Sequence, residues 1–95
     1  MPLIVTAHIH AIPEQRDLVL AELKKLLSPT RAENGCESYV LHTNKTDPNH
    51  FVFIERWADK PSMDAHMKQP HMAACQKAIS TAVKSVDIFE LSPCD

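Results

Sequence analysis

The sequence predicts an α+β domain of order β-α-β-β-α-β with an antiparallel sheet, and three observations carry that expectation. Four runs rich in β-branched, aromatic and other apolar residues, at 3–10, 36–43, 50–57 and 86–91, read as strands. Apolar residues recur at helical spacing between the first and second runs, and again between the third and fourth. A chain of 95 residues has room for one such unit and not comfortably for two.

The first run, LIVTAHIH, ends before Ile12-Pro13. From Pro13 onward Val19, Leu20, Leu23, Leu26 and Leu27 keep a helical period, with Glu14 and Asp17 in the first turn and Lys24 and Lys25 near the end. Pro29 is expected to break or kink this helix after Ser28, and Asn34-Gly35 supplies a turn. The runs CESYVLHT and HFVFIERW, joined by the turn-rich connector 44–49, should pair as antiparallel strands. Asp59-Lys60-Pro61-Ser62 reads as a capped helix start, opening a short helix over about 62–69. After Pro70, the residues Met72, Cys75, Ala78, Ile79, Ala82 and Val83 predict a second helix to about residue 84, before the last strand. This order is the ferredoxin-like pattern.

Composition removes several classes of function. One glycine in the whole chain leaves no glycine-rich loop for a phosphate, so P-loops and dinucleotide fingerprints are excluded. A formal net charge of −2, with scattered Lys and Arg, gives no electrostatic footprint for a nucleic acid or an anionic membrane. The longest apolar stretches are too short for a transmembrane helix, and no secretory signal is visible, so a cytoplasmic location is expected. Cys36, Cys75 and Cys94 are odd in number and far apart, which suits reduced thiols and not a disulfide framework or a zinc site. Six histidines invite a metal, but H-E-x-x-H is absent and the i, i+5 spacing of His66 and His71 does not put both rings on one helix face. No metal and no organic cofactor are expected.

The strands carry a further signal. A sheet with one wet face alternates apolar and polar residues, yet 50–57 places Phe51, Phe53 and Trp57 on one parity and Val52 and Ile54 on the other. Strand 3–10 does the same with Leu3, Val5, Ala7 and Ile9 against Ile4. The helices of so short a chain can cover one face only, so a homodimer with sheets packed face to face is expected.

Several polar groups fall among apolar ones, as in a small-molecule pocket. His66 follows Met63 by three residues and borders the apolar stripe, and His71 opens the next stripe. Tyr39 shares a strand parity with Leu41, and Glu55 shares one with Phe53 and Trp57. Each has two readings. His66 and His71 are either proton-handling groups or hydrogen-bonded boundary residues, Tyr39 and Trp57 either line a site or fill a core, and Glu55 is either an acid or an ion-pair partner. Met63 with Met67 and Met72 either lines the pocket or fills gaps.

Arg31-Ala32-Glu33-Asn34-Gly35-Cys36, followed by Tyr39, Leu41-His42, Asp47-Pro48, Phe51, Glu55-x-Trp57 and His66-x4-His71, resembles the antibiotic biosynthesis monooxygenase (ABM) domain family over about 3–91. The resemblance implies a dimeric α+β barrel, in agreement with the two-faced strands. It also implies a cofactor-free oxygenase acting with O2 on electron-rich aromatic or enolisable substrates such as quinols and anthrones. Tyr39, Trp57 and His66 match positions of the family's pocket and are the implied catalytic residues, with Phe53, Glu55, Met63 and His71 as implied substrate-binding ones. Such a substrate reduces O2 itself once deprotonated, so the protein must remove a proton, hold the anion and exclude water. His66 suits the base and Tyr39 the oxyanion donor. Relatives on the same fold degrade haem, isomerise small sugar phosphates by proton transfer, or bind without catalysis. The first of these needs a strand-1 Asn, where this chain has Thr6, Ala7 and His8.

Overall fold

The computed structural model describes residues 2–95. In chain order it contains β1 (Leu3–Ala11), a 3-10 turn (Pro13–Gln15), α1 (Arg16–Lys24), α2 (Leu27–Arg31), β2 (Cys36–Asn44), β3 (Asp47–Trp57), α3 (Lys60–Met67), α4 (Pro70–Ile79) and β4 (Val83–Leu91). The strands form one antiparallel sheet in the order β2-β3-β1-β4. The protein is a ferredoxin-like α+β domain. No helix among the described residues is long and apolar enough to cross a membrane.

Three boundaries differ from the sequence expectation, each for a local reason. The first helix breaks at Lys25-Leu26, ahead of Pro29 and not after Ser28. A proline ring excludes the carbonyl four residues back, here that of Lys25, so the axis is interrupted there and Pro29 sits in the first turn of α2. The connector between β2 and β3 shrinks to Lys45-Thr46, because Asn44 pairs with Asp47 and the register shifts next to it. That irregularity accommodates Pro48 inside β3, where β1 has not yet begun to pair. The last helix stops at Ile79, and Val83, placed by its spacing in the helix, instead pairs with Ala11. A β-branched residue with a strand partner is better placed there than in a fraying last turn.

The helices cover one face of the sheet. Val5, Ala7, Ile9 and Ala11 of β1 alternate with half-buried neighbours, and Phe51, Phe53 and Trp57 of β3 lie beside them in the core with Val19, Leu23 and Leu26. The opposite face carries Val40, Ile54, Phe89 and Leu91, all between 42 and 51% exposed.

Two short-range features fix the position of α3. Gly35 has φ +87°, and a Cβ there would collide with the Ser62 side chain, so the turn before β2 can press against the start of α3 only with glycine. Asp59 caps that helix, its carboxylate accepting from the Ser62 N–H at 2.9 Å. Hydrogen bonds from Ser62, its hydroxyl first and its backbone N–H second, hold the Asp59 carboxyl below its ordinary value.

Candidate active site

Between the helices and the sheet lies a cavity with about 80 Å3 of open space. Tyr39 from β2, Phe53 and Glu55 from β3, and Met63 and His66 from α3 meet in its wall. Ala7, Ile9, Leu23, Met67, Met72, Cys75 and Ile79 complete a mainly apolar lining. Val86 and Ile88 of β4 also line it and are 48% and 43% exposed, so the cavity opens along β4.

The geometry moves two of the expected residues. Trp57 is fully buried at the end of β3, where it pairs with Leu3 and Cys36, and it does not line the cavity. Its indole lies 4.7 Å from the His66 ring, and its Nε1–H donates to Glu55 Oε1 at 2.9 Å. The tryptophan therefore supports two cavity residues from behind. His71 opens α4 after the break at Gln69 and faces a separate surface groove with Glu22, Lys25, Ala74 and Cys75.

Glu33, to which the sequence assigns no role, joins the two histidines. Its Oε2 lies 2.8 Å from His66 Nδ1 and 2.8 Å from His71 Nε2. A carboxylate can only accept, so each imidazole donates its N–H to Glu33. The remaining nitrogen of His66, Nε2, makes no hydrogen bond among the described residues and carries a lone pair. Burial lowers the His66 pKa below its ordinary 6.5, against the opposing pull of Glu33, and keeps the ring neutral. Glu33 lies in the stretch 31–36 that carries the family resemblance, but its alignment with α3 and α4 depends on the Gly35 turn.

These three side chains also form a two-histidine, one-carboxylate donor set with all donor atoms within 4.8 Å of one another. Ligands about 2.1 Å from a tetrahedral zinc stand about 3.4 Å apart. Both nitrogens touch one carboxylate oxygen at 2.8 Å, which is hydrogen-bond contact, and we read the cluster as a hydrogen-bonded network.

The other polar groups are tuned by burial. Tyr39 is 2% exposed, stacks on Phe53 at 4.6 Å and meets the His66 ring edge-on at 5.7 Å. Burial raises its phenol, which stays an O–H donor across the physiological range. Glu55 is 3% exposed, and its burial raises the carboxyl pKa from 4.5 to about 7. Cys75 is pushed up to about 11 by burial and remains a thiol.

The domain is thus ferredoxin-like, with a mainly apolar cavity that has one imidazole and one buried carboxyl in its wall. The sequence profile of the family described as antibiotic biosynthesis monooxygenase matches residues 2–78, and the chain belongs to that family. It is 30% identical to the Escherichia coli protein named probable quinol monooxygenase YgiN, over 96% of this chain and 97% of that one. Rv0793 of Mycobacterium tuberculosis is 30% identical over 99% of this chain and 93% of its own length. A Synechocystis protein, sll1783, is 30% identical over 74% of this chain, and the matched stretch spans only 48% of that longer protein. The crystal structure of PA3566 from Pseudomonas aeruginosa superposes with a TM-score of 0.93 at 31% identity, covering 99% of this chain and 95% of that one.

Proposed function

We propose that the protein is a cofactor-independent monooxygenase that oxidises a small, neutral, electron-rich aromatic or enolisable molecule, of the quinol or anthrone type, with O2. The observation that carries this reading is His66. It stands in the wall of an apolar cavity, neutral, with Nδ1–H held by Glu33 and Nε2 left as a base. A substrate deprotonated there supplies the electrons for O2 itself, and Tyr39 O–H is the donor for the resulting oxyanion. The name of the Escherichia coli relative supports the quinol class.

The lining supports this reading over a sugar-phosphate isomerase. No Lys or Arg lines the cavity among the described residues, and a phosphate would have to leave water for a mainly apolar wall. The active form is a homodimer, supported by the apolar residues on the open face of the sheet, and light scattering at micromolar protein tests it. The three free cysteines support a cytoplasmic setting.

The test is turnover of a hydroquinone with and without air, following O2 uptake and product together. Oxygen-dependent turnover that falls about 10²-fold or more in His66→Ala, with fold and assembly unchanged, is the expected result. Turnover that continues without O2 favours enolisation, and equal rates for the two proteins remove His66 from the mechanism.

A further inference from the structure

Oxygenation of this kind needs protons handled twice. One must leave the substrate so that it can react with O2, and another must reach the distal oxygen of the resulting hydroperoxide so that water can depart. His66 supplies the first function. Beside the Tyr39 phenol, which holds the oxyanion, the cavity wall has one carboxyl among the described residues, that of Glu55.

From the place of Glu55 in the wall of the cavity that also holds the base, we propose that Glu55 is the general acid of the reaction, donating from Oε2 to the departing oxygen. The proposal rests on the oxygenase reading and adds a second catalytic residue to it. Glu55 projects from near the C-terminal end of β3 into the cavity that His66 reaches from α3. Its Oε1 is occupied by the Trp57 Nε1–H at 2.9 Å, which leaves Oε2 to carry the proton. The indole that holds Glu55 also packs on the His66 ring at 4.7 Å, so one side chain fixes the acid and the base relative to each other.

The surroundings favour the required protonation states. On β1 the residue paired with Glu55 is the apolar Val5, on β2 it is Tyr39, and from the turn before β2 the nearby charge is that of Glu33. Desolvation and the second carboxylate both favour the acid form of Glu55, while desolvation favours the neutral form of His66. With the carboxyl raised to about 7 and the imidazole lowered below 6.5, a protonated acid and a neutral base coexist near neutrality.

The steps balance for an anthrone-type CH2 group. His66 Nε2 takes one proton, and the carbanion gives an electron to O2. The two radicals combine with formation of a C–O bond, and the peroxide anion recovers the proton from His66. His66 then removes the second proton from the same carbon. The C=O bond forms as the O–O bond breaks, and Glu55 protonates the departing hydroxide to give water. Transfer of the proton from His66 to the Glu55 carboxylate restores the resting state. One ketone and one water account for the CH2 group and O2.

The probe is dithranol, an enolisable anthrone, with O2 uptake, organic hydroperoxide and ketone measured together for wild type, Glu55→Gln and His66→Ala. Glutamine keeps the acceptor for Trp57 but cannot give up a proton. Glu55→Gln is expected to consume O2 within about threefold of the wild-type rate while ketone formation falls about 10²-fold and peroxide accumulates in its place. His66→Ala should lose both O2 uptake and ketone. In wild type the ketone-forming rate should be bell-shaped in pH, with a descending limb near 7 that is absent from Glu55→Gln. An infrared band of a protonated carboxyl, present at pH 6 and missing from the folded Glu55→Gln protein, identifies the proton independently of turnover. Unchanged ketone per O2 in Glu55→Gln, or absence of that band, overturns Glu55 as the acid while leaving the oxygenase reading intact. Wild-type turnover without O2 uptake overturns the oxygenase reading and the step Glu55 serves.

Discussion

The two faces of the sheet are built from the same strands and meet opposite fates. On the helix side Val5, Phe51, Phe53 and Trp57 are no more than 2% exposed, and two ionisable groups, Glu55 and His66, are buried with them. On the other side Val40, Ile54, Phe89 and Leu91 remain near half exposed and alternate with His8, His10, His42 and Arg56. Burial of polar groups is thus concentrated where helices close over a cavity, while apolar groups are exposed where no helix covers the sheet. The first face is closed within one chain except along β4, where Val86 and Ile88 stay 48% and 43% exposed at the cavity mouth. The second has the character of a surface that a further layer would cover, and a second copy of the same sheet is the layer we propose.

Removing a large side chain from each face should break the comparison most visibly. Phe53→Ala on the covered face is expected to cost about 3–5 kcal/mol by leaving a void beside Tyr39, with a loss of thermal stability that does not depend on protein concentration. Calorimetry over a range of concentrations checks this.

Glu55→Gln sharpens the electrostatic side of the contrast. Because the folded carboxyl titrates near 7 and the free one near 4.5, its contribution to stability is full below 4.5 and is lost as pH rises through 7. The loss is on the order of 3 kcal/mol. Glutamine should abolish that decline, leaving the opposite slope from His66, whose lowered value makes stability fall as pH drops below 6.5. Denaturant titrations from pH 4.5 to 8 read both slopes.

On the open face, Ile54→Asp should dissociate the homodimer and remove about 2.7 kcal/mol at protein concentrations a hundredfold above its Kd, with an effect that vanishes on dilution. Light scattering and concentration-dependent melting follow it together. The smallest expected effect concerns the histidines of the same face. His50 Nε2 lies 2.9 Å from His8 Nδ1, and its ring stacks on His10 at 4.2 Å. Desolvation and these two neighbours lower the His50 value below 6.5, so its contribution is present above 6.5 and is lost as pH falls. In His50→Gln the acid loss of stability should be shallower by the share His50 contributes, a difference that NMR titration of the imidazoles resolves.

Periodicity and punctuation carried most of the fold. Richness in β-branched, aromatic and other apolar residues marked 3–10 and 50–57 as strands, apolar on both parities, and Asp59 announced the capped start of α3. Tyr39, Phe53, Glu55, Met63 and His66 were legible as pocket residues because each is a polar or bulky group on a face that local spacing already turns inward. Local spacing has no reach beyond one element. The meeting of His66 and His71 at Glu33, across three separate segments, was decided by the Gly35 turn and the helix break at Gln69, which bring together atoms 33 and 38 positions apart in the chain. The withdrawal of Trp57 behind Glu55 was likewise decided by the register of β3 against β1 and β2. A hydrogen bond depends on position in space, and only the folded chain supplies that.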